Sequence, residues 1–313
     1  MVLRIIPLVM PPSLIAVVLA LLHFPTQQLD LAKVNAALDK GEPVVLETRQ
    51  VLLSKFDFEF ENRNVEAVLF VPKKEGKYPG ILLIPGYQRT ARDFISIGSR
   101  IASEGFVCMS VSQPGFGKSG GKSDFVGPMT MRTMAAALDR LKALSCVNIE
   151  ELGVYGYSRG GMAASLLATR RNDLSAAVFG AGVYDFKAAH DESTLPGVKK
   201  NMDTEGGLDV KSIEERSSIL QMDRLLCPVL IVHGEEDVNV PVSQAKKLAA
   251  KLVELKKEHE LVIYPGLDHS LPGADIIPRT IAFFKRHLQG PAREATGGGL
   301  RRFTNSLGRT LRM

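Results

Sequence analysis

Gly156-Tyr157-Ser158-Arg159-Gly160 stands between a short apolar run (Leu152, Val154, Tyr155) and the helix formers Gly161-Met162-Ala163-Ala164-Ser165-Leu166-Leu167. A G-x-S-x-G sequence between a strand and a helix imposes a tight, strained turn with the serine at its apex. The two glycines omit side chains that would strike the flanking strand and helix. The hydroxyl then stands clear at a helix N-terminus, where neighbouring N–H groups and the positive helix end can hold an oxyanion. Alone, the motif is a modest signal. Its weight comes from partner residues further along the chain.

A serine hydroxyl is a poor nucleophile at neutral pH. It needs a base within hydrogen-bond reach, and the base needs a carboxylate to fix its tautomer. For a serine on a strand-to-helix elbow the chain order is Ser, then Asp or Glu, then His. Asp237 comes after Ser158, in a turn after the apolar run Val229-Leu230-Ile231-Val232. His269 comes next, in the loop after Leu261-Val262-Ile263-Tyr264. Both fall where a parallel sheet exposes its carboxyl ends. Asp185, after Ala176–Gly180, is a competing acid. His233 ends a strand ahead of its turn and reads as a packed or hydrogen-bonded residue, though it remains a second candidate base. Asp268 adjoins His269 and reads as solvated. His23, His190, His259 and His287 lack a strand-end setting.

An oxyanion needs two N–H donors. The backbone N–H of Arg159, next after the serine, is one. The loop after an earlier central strand commonly supplies the other. Ile81-Leu82-Leu83-Ile84 followed by Pro85-Gly86 offers the N–H of Tyr87, unless that segment is simply a turn.

With these segments in view, the chain from about Val65 to Leu288 resembles the α/β-hydrolase fold. Within that fold it is most similar to the catalytic domains of the prolyl oligopeptidase family and its acylaminoacyl-peptidase and dipeptidyl-aminopeptidase-like relatives. Gly156–Gly161, Glu215-Arg216-Ser217-Ser218, the stretch Cys227–Pro241 with its H-G-x-x-D-x-x-V-P string, Tyr264-Pro265-Gly266 and His269 carry the resemblance. It implies Ser158 as nucleophile, Asp237 as orienting acid and His269 as base, with no cofactor and no metal. The large peptidases place a propeller before this domain. Only some tens of residues precede the first core strand here, so the specificities a propeller confers do not carry over. Pro85 stands where the family has His or Tyr before the oxyanion-loop glycine, which leaves backbone donors and no side-chain help. The serine at the elbow argues against the cysteine chemistry of dienelactone hydrolases.

The expected product is a serine hydrolase that cleaves an amide, peptide or ester bond through an acyl-enzyme, peptidase-like by resemblance. A carboxylesterase for small acyl esters is the alternative. A non-catalytic binding protein on the same fold is the alternative of another class. The expected fold is α/β: a mostly parallel sheet with helices on both faces, over residues 45–289. Phe56–Phe60 and Val65–Val71 read as an antiparallel opening pair. The glycine-rich Gln113–Gly121 lacks the G-K-[ST] spacing of a phosphate loop and reads as a substrate-side surface loop. Apolar periodicity fails over about 187–225, which reads as a lid of short helices.

The 313 residues, 45% apolar and 23% charged, suit one globular domain. Three scattered cysteines read as free thiols. The net charge of +5 is misleading. Arg293, Arg301, Arg302, Arg309 and Arg312, set against Glu294, carry most of it, and Arg4 carries the remainder. The core is therefore near neutral and gives nucleic-acid binding no electrostatic support. Arg4 and the apolar block Leu14–Leu22 make residues 1–24 read as a secretory signal, cleaved after Ala20, or a membrane anchor. The protein is exported or membrane-associated if so, and cytoplasmic otherwise. Residues 290–313 read as a flexible basic tail or a weak amphipathic helix on a membrane.

Overall fold

Ile81-Leu82-Leu83-Ile84 contains no polar residue, and every one of its side chains is buried. Ile81 and Leu83 enter one core cluster, Leu82 and Ile84 the other. Successive strand side chains point to opposite faces, so an unbroken apolar run marks a strand covered on both sides. The structure, a computed structural model, describes residues 29–289 and the backbone of two short strands beyond them.

In chain order the strands are β1 (Val44–Leu46), β2 (Val51–Lys55), β3 (Phe58–Phe60), β4 (Arg63–Val65), β5 (Ala67–Pro72) and β6 (Tyr78–Ile84). They continue as β7 (Val107–Val111), β8 (Val147–Tyr157), β9 (Ala176–Gly180), β10 (Val229–Gly234) and β11 (His259–Tyr264). Nine of them form one sheet in the order β1-β2-β5-β7-β6-β8-β9-β10-β11. Every neighbouring pair from β7 to β11 is parallel. β1, β2 and β5 extend the sheet antiparallel. This is the α/β-hydrolase architecture. Helices Pro128–Lys142, Arg159–Arg170 and Ser243–Glu254 cover one face through Leu138, Leu166 and Leu248. Helices Leu31–Lys40, Ile95–Ala102 and Ile276–Leu288 cover the other through Leu38, Ile101 and Phe284.

The antiparallel opening differs from the expected pair. Phe58–Phe60 pairs with Arg63–Val65 in a separate small sheet, and β5 pairs instead with β2. Alternation at Phe56–Phe60 marks a hairpin with one covered face. β2, which reads V-L-L-S-K, gives no clean period of two. The helix Leu31–Lys40, capped by Asp30 and anchored by Val34 and Leu38, packs ahead of the expected boundary at 45.

The segment after β9 forms short helical pieces: Phe186–Glu192, Pro196–Asn201, a π-helical turn Met202–Gly206, Val210–Arg216 and a 3₁₀ stretch Ser218–Arg224. Phe186, Met202 and Met222 are buried beneath them. Cys108, Cys146 and Cys227 are free and buried. Burial pushes the Cys146 thiol up to about 11 and that of Cys227 to about 12. The expected signal or anchor over residues 1–24, with His23, lies outside the described residues. Most of the expected basic tail does too; the described backbone there pairs Phe303–Thr304 antiparallel with Thr310–Leu311. No described helix is long and apolar enough to cross a membrane.

Candidate active site

The elbow between β8 and the helix Arg159–Arg170 puts Ser158 at φ 57, ψ −124. A non-glycine residue with this backbone is strained and persists only where its surroundings hold it. They do so through close packing. A Cβ on Gly156 would lie 2.0 Å from the Gly160 carbonyl oxygen, and one on Gly160 would lie 1.9 Å from that of Ile84. Only glycine fits at either position, so strand, turn and helix close to this distance. The Ser158 N–H donates to the Gly180 carbonyl on β9 at 2.7 Å.

Three loops at the carboxyl ends of the strands then converge. His269, beyond β11, has Nε2 2.8 Å from Ser158 Oγ and Nδ1 2.6 Å from Asp237 Oδ2. A carboxylate only accepts, so Nδ1 carries the proton and Nε2 is bare toward the serine hydroxyl. Asp237, beyond β10, is 5% exposed. Its Oδ1 accepts from the N–H groups of Asn239 and Val240, each at 2.9 Å. Burial would raise its carboxyl, but hydrogen bonds from His233 and His269 outweigh that and hold it at about 2.

The ionised form of Asp237 is thus favoured in the fold. Its folded value lies below the ordinary 3.8, so its stabilising contribution is complete above about pH 4 and is lost as pH falls toward about 2. Unfolding midpoints of the wild type should fall more steeply over this window than those of Asp237→Asn. Parallel curves would contradict the assignment.

The competing candidates sit elsewhere. Asp185 caps the helix Phe186–Glu192 by accepting from the Ala188 N–H. His233 is fully buried, with Nε2 2.8 Å from the Val240 carbonyl and 3.2 Å from Asp237 Oδ2. Two acceptors at Nε2 place its proton there, and its Nδ1 is buried without a hydrogen-bond partner. It braces the acid and does not reach the serine. Asp268 is exposed and accepts from Ser270.

Gly86 passes directly beside the serine: a Cβ on it would stand 3.1 Å from Ser158 Cβ. The next residue, Tyr87, therefore enters the site, as does Arg159 at the first helical position. Both line a cleft of about 840 Å³ whose floor is Ser158 and His269. Phe125, Met162, Val183 and Val240 make an apolar wall, and Leu195 and Val198 from the helical segment after β9 also line it. Asp93 is the only carboxylate among the described lining residues. It is already engaged by the Thr90 N–H and hydroxyl and by Arg89.

Two residues of the site were not singled out by the sequence. Gln113 is buried and donates from Nε2 to the Pro85 carbonyl at 2.7 Å, which fixes the peptide entering Gly86. Tyr157 donates its hydroxyl to the His269 carbonyl at 2.6 Å. Burial, with Tyr155 and Asp237 nearby, pushes its phenol well up, so it stays a donor. Its place within G-Y-S was the available clue. Tyr157→Phe should lower kcat about tenfold, the equivalent of one hydrogen bond, with KM little changed. An unchanged kcat would show that the His269 loop needs no tether.

Residues 98–291 match the model of the prolyl oligopeptidase family. The chain belongs to that family. The match spans Ser158, Asp237 and His269 and excludes the Tyr87 loop. An uncharacterised peptidase of Bacillus subtilis, YtmA, is 29% identical over 215 residues, which cover 66% of this chain and 82% of the relative. The Pyrococcus horikoshii acylaminoacyl peptidase superposes with a TM-score of 0.67 at 18% identity, over 80% of this chain and 43% of its own. Acetyl xylan esterase 1 from Thermoanaerobacterium sp. gives 0.64 at 16% identity, over 82% and 93%. Both structural likenesses speak to the fold. The chain spans about a third of other curated relatives, such as dipeptidyl-peptidase 5 of Porphyromonas gingivalis. It is a peptidase-family serine hydrolase.

Proposed function

We propose that Ser158 is the nucleophile of an acyl-transfer reaction that hydrolyses an amide, peptide or ester bond. The observation that carries the reading is the unbroken contact series from Ser158 Oγ to His269 Nε2 and from His269 Nδ1 to Asp237. Ser158 Oγ attacks the acyl carbon while His269 Nε2 takes its proton. The N–H groups of Arg159 and Tyr87 receive the oxyanion, at about 3 kcal/mol per donor. As the tetrahedral intermediate collapses, His269 gives that proton to the leaving amine or alcohol. Water then attacks the acyl-enzyme, losing a proton to His269, which returns it to Ser158 Oγ as the bond to the acyl carbon breaks and the acid product leaves. Asp237 stabilises the imidazolium throughout.

Family membership favours a peptide-type substrate. The carboxylesterase reading draws support from the cleft wall, where the one carboxylate among the described lining residues, Asp93, is already engaged and does not await a peptide ammonium. Parallel rates on p-nitrophenyl acyl esters and aminoacyl anilides separate the two. Labelling by an alkyl fluorophosphonate that disappears in Ser158→Ala tests the nucleophile itself. An unlabelled wild-type protein would instead favour a non-catalytic binding role.

A further inference from the structure

Arg159 bears two separate functions' worth of chemistry. Its N–H is a proposed oxyanion donor, while its side chain is almost wholly buried, at 7% exposure. The guanidinium carbon lies 4.2 Å from the Tyr87 ring centroid and 4.0 Å from that of Phe125. It is thus held between two aromatic groups, with Phe116 at 5.9 Å and edge-on to Tyr87 at 5.5 Å. Cation–π contacts are strongest when desolvated in this way. Nη1 donates to Ser123 Oγ at 2.8 Å and to Glu205 Oε2 at 2.6 Å, and Ser123 donates to the same carboxylate at 2.6 Å. Burial lowers the guanidinium's affinity for its proton, and Glu205 offsets that.

The partners come from three separate loops. Tyr87 belongs to the loop after β6 that carries the other proposed oxyanion donor. Phe116, Ser123 and Phe125 belong to the loop after β7. Glu205 belongs to the lid, in the π-helical turn Met202–Gly206. The β7 loop is itself held under strain. Phe125 and Val126 have φ of 44 and 59, a region costly for a β-branched residue. Arg216 of the lid holds that backbone by donating to the carbonyls of Asp124 at 2.9 Å and Phe125 at 3.2 Å. Strain of this kind survives only where several contacts over-determine it.

We propose that the Arg159 side chain is a positioning residue that sets the two oxyanion donors against each other and ties their spacing to the lid through Glu205. The inference deepens the hydrolase reading and rests on it. Tyr87 is 36% exposed, and its ring rests on the guanidinium face and on the edge of Phe116, which the same guanidinium approaches. Gln113 and the packing of Gly86 fix the start of this loop, and the guanidinium face is the restraint that reaches Tyr87 itself, so its loss frees the Tyr87 N–H to shift relative to Ser158. Misplacement of a donor weakens the interaction made in the transition state and leaves ground-state binding largely alone.

The test uses the full chain with p-nitrophenyl acetate, an alkyl fluorophosphonate and limited proteolysis of the lid. Arg159→Met should lower kcat and the rate of phosphonylation together, by about 10- to 100-fold, with KM changed less than threefold and the shape of the pH profile kept. Arg159→Lys should recover little, because an ammonium lacks the flat stacking face. Glu205→Gln leaves the cation between its rings and should lower kcat less, about three- to tenfold, while protease cleavage within 186–225 rises. If Arg159→Met fails to fold, Glu205→Gln decides. Wild-type kcat and wild-type lid cleavage in Glu205→Gln would overturn the proposal, as would an Arg159→Met whose kcat stays within twofold of wild type. Should wild-type protein go unlabelled at Ser158, the hydrolase reading fails instead, and lid cleavage still reports the Glu205 tie.

Discussion

Ser158→Ala is expected to lower kcat by about a million-fold, or about 8 kcal/mol of transition-state stabilisation. The hydroxyl makes one side-chain contact, with His269 Nε2, and it is only half buried. Alanine keeps the Cβ that already fits the elbow and adds no bulk against Gly86. The loss to stability should therefore be about 1 kcal/mol, a shift of a few degrees at most in the melting temperature. Adding His269→Ala to Ser158→Ala should cost nothing further in rate, because residues that act as one unit are not additive. Turnover of the single variant within a hundredfold of wild type would remove Ser158 from the mechanism. An additive double variant would separate His269 from it.

Asp237→Asn should lower kcat by about ten-thousand-fold, through the tautomer of His269. Asp237 faces only donors: the N–H groups of Asn239 and Val240 at Oδ1, and the rings of His269 and His233 at Oδ2. An asparagine that keeps its oxygen toward the two N–H groups must turn its NH₂ toward the rings. His269 Nδ1 would then have to accept, which moves the ring proton to Nε2, facing Ser158. In that state the imidazole cannot take the serine's proton. His233 fares no better, since its Nε2 proton would meet a second donor. A modest drop in stability should accompany the rate effect, and near-UV circular dichroism at neutral pH separates the two. An asparagine variant that keeps its fold and turns over within tenfold of wild type would exclude the tautomer mechanism.

Chain order and local chemistry alone single out much of this protein. The elbow between an apolar strand and a glycine-led helix is written in adjacent residues, because close contact there leaves glycine no substitute. The parallel strands β6, β7, β9 and β10 are short apolar runs bounded by turns, which is how a doubly covered strand must read. Half-covered pieces were less legible. β2 is mixed in pattern, and the hairpin of β3 and β4 borrows its alternation from a small separate sheet. Periodicity reports which face is buried; it does not report against what.

Side chains whose partners are remote in the chain could be read only from the fold. Nothing in its sequence setting marks the Arg159 side chain as buried. It is buried because Tyr87, Phe125 and Glu205, each from a different loop, surround it. The same holds for Gln113 on Pro85, Tyr157 on the His269 carbonyl and His233 behind Asp237. The sequence by itself determined the sheet class and the elbow, since these rest on local sterics, and chain order narrowed the acid to Asp237 or Asp185 and the base to His269 or His233. Tertiary structure alone decided which of these approach the serine, which neighbours hold them and how the helical segment after β9 borders the cleft. Burial and hydrogen-bond partnership are properties of the packed chain, and no short-range pattern encodes them.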